Sequence, residues 1–194
     1  DPELKKIPLP TNMRSLSESL VPVIRGQRIP MGVTKNYVRP FIHWYDERGT
    51  EDLDLHGFLL GKGKVESYGY NGTRSSNLGC YSGDVRHRQG PCAEYVDIHL
   101  QKALDAGYQY FVMVVHNFTG RPLNTLKDCV IGVQERETTS STTNWLPDTI
   151  TNSIKPSSTS QYALIGVYDL LTKEYIHLDL DWATFSGYVS GRDS

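Results

Sequence analysis

The chain has 194 residues and a mass of 21.9 kDa, enough to bury about 70% of its unfolded surface without covalent staples, which excludes a disulfide miniprotein. Hydrophobic residues make up 38% and charged residues 22%, and no uninterrupted apolar run reaches membrane length, which excludes a membrane-spanning helix. Lys and Arg number 20 against 22 Asp and Glu, for a net charge of −2; that balance lacks the positive excess of a phosphate-backbone reader, so no nucleic-acid partner is expected.

From Asp1 to Gly32, Pro2, Pro8, Pro10, Pro22 and Pro30 break any helix, so residues 1–35 read as an extended arm or linker and 36–194 as one domain. Tyr37 to Tyr45 is rich in aromatic and β-branched residues, and Asp52 to Leu60 opens with polar/apolar alternation; both predict strands. Lys64 to Tyr70 reads as a hairpin partner joined through Gly61 and Gly63. The polar, Gly-rich stretch from Asn71 to Gly90 predicts a long loop. Glu94 to Leu100 alternates again, Gln101 to Ala106 makes at most two helical turns closed by Gly107, and Tyr108 to His116 predicts a central strand buried on both faces. Val130 to Glu135, Gln161 to Tyr168 and Glu174 to Asp181 supply three further strands. The Ser- and Thr-rich tract from Thr138 to Ser160 reads as a surface connection, with a helical turn placed at Asn144 to Ile154. About eight short strands without regular helices between them predict an all-β fold, an antiparallel β-sandwich with long loops at one end.

Cys80, Cys92 and Cys129 form an odd set with no apolar signal segment before them, which leads us to expect reduced thiols and a cytoplasmic location. The first residue is Asp, as in a piece of a longer polypeptide, although a clipped terminus or tag remnant would look the same. The N-x-T triplets at Asn71 and Asn117 matter only in a secreted chain.

The most informative segment is Glu51-Asp52-Leu53-Asp54-Leu55. On a strand, Asp52 and Asp54 project to one side, about 7 Å apart, while Leu53 and Leu55 project to the other. Like charges so placed need a positive partner: a hard cation taking oxygen ligands, or a neighbouring Arg. A solvated acidic face is the plain alternative. The second segment runs from Gly79-Cys80-Tyr81-Ser82-Gly83-Asp84 to Ala93-Glu94-Tyr95-Val96-Asp97-Ile98.

Taken in order, D-L-D-L, S-G-D, E-Y-V-D-I and the apolar strand with its polar turn resemble the TerD family of tellurite-resistance and stress-response proteins. The run F-V-M-V-V-H-N-F-T-G-R-P-L, within Tyr108 to Val130, resembles a divergent TerD-like group found inside larger bacterial proteins. The likeness covers roughly Val38 to Glu135. It implies a β-sandwich with calcium bound at one end by acidic loops, and, carried over by position, a metal site of Asp52, Asp54, Asp84 (after Gly83) and Glu94. One departure stands out: Arg86-His87-Arg88-Gln89-Gly90-Pro91-Cys92 replaces the family's run of Asp and Gly. Arg86 or Arg88 can satisfy the same carboxylates by bidentate pairing, so calcium and a metal-free corner both stay open.

Two other chemistries are weighed. Cys80, His87 and Cys92, with Cys129 or His99, can be arranged as a zinc site, but their spacing lacks a C-x-x-C knuckle. Asp54 and His56 share a strand face and so offer an acid/base pair for hydrolysis, whereas no G-x-S-x-G, phosphate loop or H-E-x-x-H is present. The expectation is a non-enzymatic TerD-like module of a bacterial stress-response or defence system, with calcium at the acidic end. Its partners are expected to be proteins or other domains of a larger polypeptide.

Overall fold

Period-two alternation gives each strand one apolar face, and two sheets that turn those faces toward each other enclose a core. A computed structural model of the chain describes residues 23–32, 34–86, 88–138 and 150–181. The strands are β1 Arg28–Pro30, β2 Tyr37–Asp46, β3 Leu53–Gly61, β4 Lys64–Tyr68, β5 Gly79–Tyr81, β6 Gly90–His99, β7 Tyr108–Asn117, β8 Val130–Arg136, β9 Ile150–Ile154, β10 Tyr162–Asp169 and β11 Glu174–Asp181. One helix, α1, spans Leu100–Asp105. A six-stranded sheet runs β1-β11-β10-β7-β3-β4 and a five-stranded sheet β5-β6-β2-β8-β9, with each named strand pairing antiparallel. The chain is therefore an antiparallel β-sandwich.

The core lies between the inner faces. Val38, Ile42, Trp44, Val96 and Ile98 from one sheet meet Leu53, Leu55, Leu59, Phe111, Met113 and Val115 from the other, all fully buried. Gly57 is required there: a Cβ on it would stand 2.2 Å from a Phe111 ring carbon. Helix α1 carries the chain from the five-stranded to the six-stranded sheet. His99 caps its start by accepting from the Lys102 amide, Leu100 and Ala103 bury its inner side, and Gly107 closes it at φ +79°. On the opposite face of the five-stranded sheet, Phe41, Tyr95 and Val130 form a second cluster. Beside it Arg39 and Asp97, both essentially unexposed, make a bidentate pair, and the guanidinium lies 3.6 Å from the Tyr95 ring centre.

Four readings change. Arg28–Pro30 is the edge strand of the larger sheet, and Ile29 and Met31 enter the core, because an apolar residue on either side of Pro30 can be buried while a proline sits harmlessly on an edge. Residues before Val23 lie outside the described residues. The loop expected from Asn71 to Gly90 contains β5, which pairs with β6. Ile150–Ile154 is a strand on β8 rather than a helical turn, the β-branched residues having found a sheet edge; residues 144–149 lie outside the described residues. Finally, β7 is fully buried on its inner face and only partly on its outer one, where Val114 is the buried residue. Phe111, Met113 and Val115 are fully buried, whereas Tyr110, Val112 and His116 are half-buried, since antiparallel neighbours leave the outer face without the helical layer that a parallel sheet would have.

Candidate metal centre

The ends of β2, β3, β6 and β7 meet at one end of the sandwich, through the registers Asp46↔Gly90 and Leu53↔Asn117. Two buried acids hold the loops there. Asp46 accepts the backbone N–H groups of Arg48, Gly49 and Thr50 on Oδ1 and of Glu51 on Oδ2, which folds the β2–β3 connection around its carboxylate. Glu51 then receives the Asn117 amide, the Thr119 hydroxyl and the Arg121 guanidinium, tying the start of β3 to the turn after β7.

Asp52, just ahead of β3, and Asp54, on the outer face of that strand, follow, and Asp84 reaches them from the β5–β6 loop. Glu94 brings the two segments together. Its Oε2 accepts the Leu55 N–H and the Tyr81 hydroxyl, and its Oε1 accepts the Val85 N–H. Leu55 follows Asp54 and Val85 follows Asp84, so one buried carboxylate fixes the backbone beside both aspartates. The result is a triad: one oxygen from each of Asp52, Asp54 and Asp84 lies within 4.8 Å of the others. Glu94, expected as a fourth ligand, stays outside this group and works as the clamp that builds it. Glu51 was not singled out as an anchor, and its place ahead of an alternating strand carried no local signal of that role.

The triad fits a hard cation. Calcium takes oxygens at about 2.4 Å, so two ligands across the ion stand at most about 4.8 Å apart. Asp54 is only 2% exposed, and among the described residues Oδ1 of each aspartate is buried without a hydrogen-bond partner, leaving lone pairs unmet. Burial, followed by the charges of Asp52 and Asp84, pushes the Asp54 pKa up to about 7. Burial likewise pushes Glu94 up to about 8, against the three donors that favour its charged form. The expected arginine partner is partly realised: Arg86 donates through Nε (2.6 Å) to Asp84 Oδ2, with Nη2 in ion-pair contact with the same oxygen at 2.5 Å, leaving the three Oδ1 atoms unpaired. Those carboxylates, Asp84 foremost, hold the guanidinium charge more firmly still.

The described cysteines and histidines do not join the triad. Cys80, Cys92 and Cys129 are free thiols, the last two buried. Among the described residues, the only Cys, His, Asp and Glu group close enough to share an ion is the aspartate triad; His87 lies outside the described residues. His56 shares the face of Asp54, but its ring packs edge-on against Tyr70 at 5.6 Å. Burial and then His116 push its pKa down. His116, the cross-strand neighbour of Asp54, stacks with Phe118 and Tyr162. Among the described residues no helix is long and apolar enough to cross a membrane.

Solved structures share this fold, among them two of low identity. A protein of unknown function, SAV2460, is 16% identical, with a TM-score of 0.54 over 82% of this chain and 99% of that one. A homologue of the telluride resistance protein TerD, SCO6318 from Streptomyces coelicolor A3(2), is 12% identical, with a TM-score of 0.54 over 78% of this chain and 95% of that one. No family model matches the sequence, and no curated protein matches it. At these identities the likeness is one of fold.

Proposed function

We propose that this sandwich is a non-enzymatic, cytoplasmic module of a larger bacterial stress-response or defence assembly, and that it binds calcium through Asp52, Asp54 and Asp84. One observation carries the reading: three carboxylate oxygens within 4.8 Å of one another, one of them from a buried aspartate that keeps an oxygen unpartnered among the described residues. Carboxylates that close repel strongly, and a divalent cation offsets the repulsion while supplying what the unpaired oxygens lack. The fold shared with a TerD homologue supports the assignment to that class of module. Its partners are proteins or neighbouring domains, which the loop end would meet.

The Arg86–Asp84 pair favours a second reading, a metal-free interaction module whose acidic corner is closed by arginine. Calorimetric titration of chelator-stripped protein with calcium chloride separates the two. Saturable binding that is weakened at least tenfold by Asp54→Asn supports the first. Absence of heat at millimolar calcium, with identical melting in calcium and chelator, overturns it in favour of the second.

A further inference from the structure

We infer that Arg86 is a resident competitor for the aspartate triad, neutralising it when no cation is bound and setting how tightly a cation can bind. The inference rests on the calcium reading above and concerns how that site is controlled.

Three features carry it. First, the triad cannot stand uncompensated, because its members share one small space and Asp54 is almost wholly withdrawn from water. The guanidinium on Asp84 is the nearest compensating charge, and it also acts on Asp52 and Asp54. Second, that compensation is incomplete. The Arg86 Nε hydrogen bond and the Nη2 contact both fall on the single oxygen Asp84 Oδ2, while among the described residues Oδ1 of all three aspartates remains unpartnered. A guanidinium reaches one carboxylate of the triad, whereas a dication can draw oxygens from all three.

Third, the competitor can leave without dismantling the site. The Arg86 side chain is 55% exposed, and the loop that bears it is anchored by other bonds: Val85 N–H to Glu94, Tyr95 N–H to Ser82 Oγ, and Ser82 N–H to the Tyr95 carbonyl. Withdrawing the guanidinium into water therefore costs one ion pair, exposed on its arginine side, and leaves Asp84 in place. The neighbouring Arg88 is exposed as well, and it supplies a control of equal charge.

The test is calcium titration of chelator-stripped wild type, Arg86→Gln and Arg88→Gln at one ionic strength, read by calorimetry. Glutamine keeps polarity and much of the length while removing the charge. Arg86→Gln should tighten calcium binding about tenfold, and Arg88→Gln less than about twofold. Melting gives an independent readout: Arg86→Gln should lower the melting temperature in chelator and bring it back to the wild-type value in saturating calcium, so that the gap between the two conditions widens. If wild type binds calcium and both variants match it within twofold, the competitor role is wrong and the calcium reading survives. If none of the three proteins binds calcium, the calcium reading fails and takes this inference with it.

Discussion

Two regions of the molecule bury carboxylates in opposite ways. Asp97 meets Arg39 through two parallel hydrogen bonds at 2.6 and 2.7 Å, with the guanidinium also lying on the Tyr95 ring. Asp46, equally buried, is surrounded by four amide donors. Each of these acids has donors aimed at both oxygens and reads as architecture. Asp52, Asp54 and Asp84, at the loop end, each keep a buried oxygen that no donor among the described residues satisfies. The difference lies in donor supply rather than in burial, because a buried charge is tolerable when its lone pairs are met and costly when they are not. Unsatisfied acids are therefore a better pointer to a ligand than acids alone.

The contrast breaks most visibly at Arg39. Removing a single partner from a buried bidentate pair leaves the other charge stranded, so Arg39→Ala should cost about 3–5 kcal/mol in denaturant unfolding. A loss below 1 kcal/mol would mean that Asp97 finds other donors and that the pair is not what holds this face.

At the triad the sign should reverse with conditions. The Asp54 pKa is raised to about 7 from 3.8, by burial first and then by Asp52 and Asp84. A carboxyl with a raised folded pKa contributes stability that is fully present below its unfolded value and is lost as pH climbs through the folded one. In chelator, wild type should therefore lose stability between pH 4 and pH 7 through this group, while Asp54→Asn escapes that loss. The variant should match wild type near pH 4 and exceed it by on the order of 1–3 kcal/mol at pH 8. In calcium at pH 8 the order should invert, because the variant forfeits an anionic ligand. A variant less stable than wild type in chelator at pH 8 would show that Asp54 is satisfied after all.

The smallest effect belongs to the exposed pair Glu47–Lys127, at 2.9 Å with both side chains at least half exposed. Lys127→Ala should leave the melting temperature unchanged within error, since solvent screens such pairs. A clear loss there would blur the distinction between exposed and buried acids.

Much of the sandwich could be read locally. The alternation over Leu53 to Leu59 and Val96 to Ile98, the hairpin glycines Gly61 and Gly63, and the capped helix ending at Gly107 all fall where the pattern puts them, because period, turn chemistry and capping act over a few residues. The strands β1, β5 and β9 were missed for the converse reason: each is an edge piece of three to five residues, too short to show a period, and each is stabilised by a partner strand distant in sequence or by a neighbour already in place. At the site, alternation alone places Asp52 and Asp54 on one face of β3. That Asp84 joins them, from a loop 30 positions further along the sequence, follows from Glu94 binding the Leu55 and Val85 amides at once. Local spacing cannot distinguish a carboxylate that accepts backbone donors from one left to hold a cation. That division was settled only when the two sheets packed, since burial determines which N–H groups reach which oxygen and so which charges remain unmet.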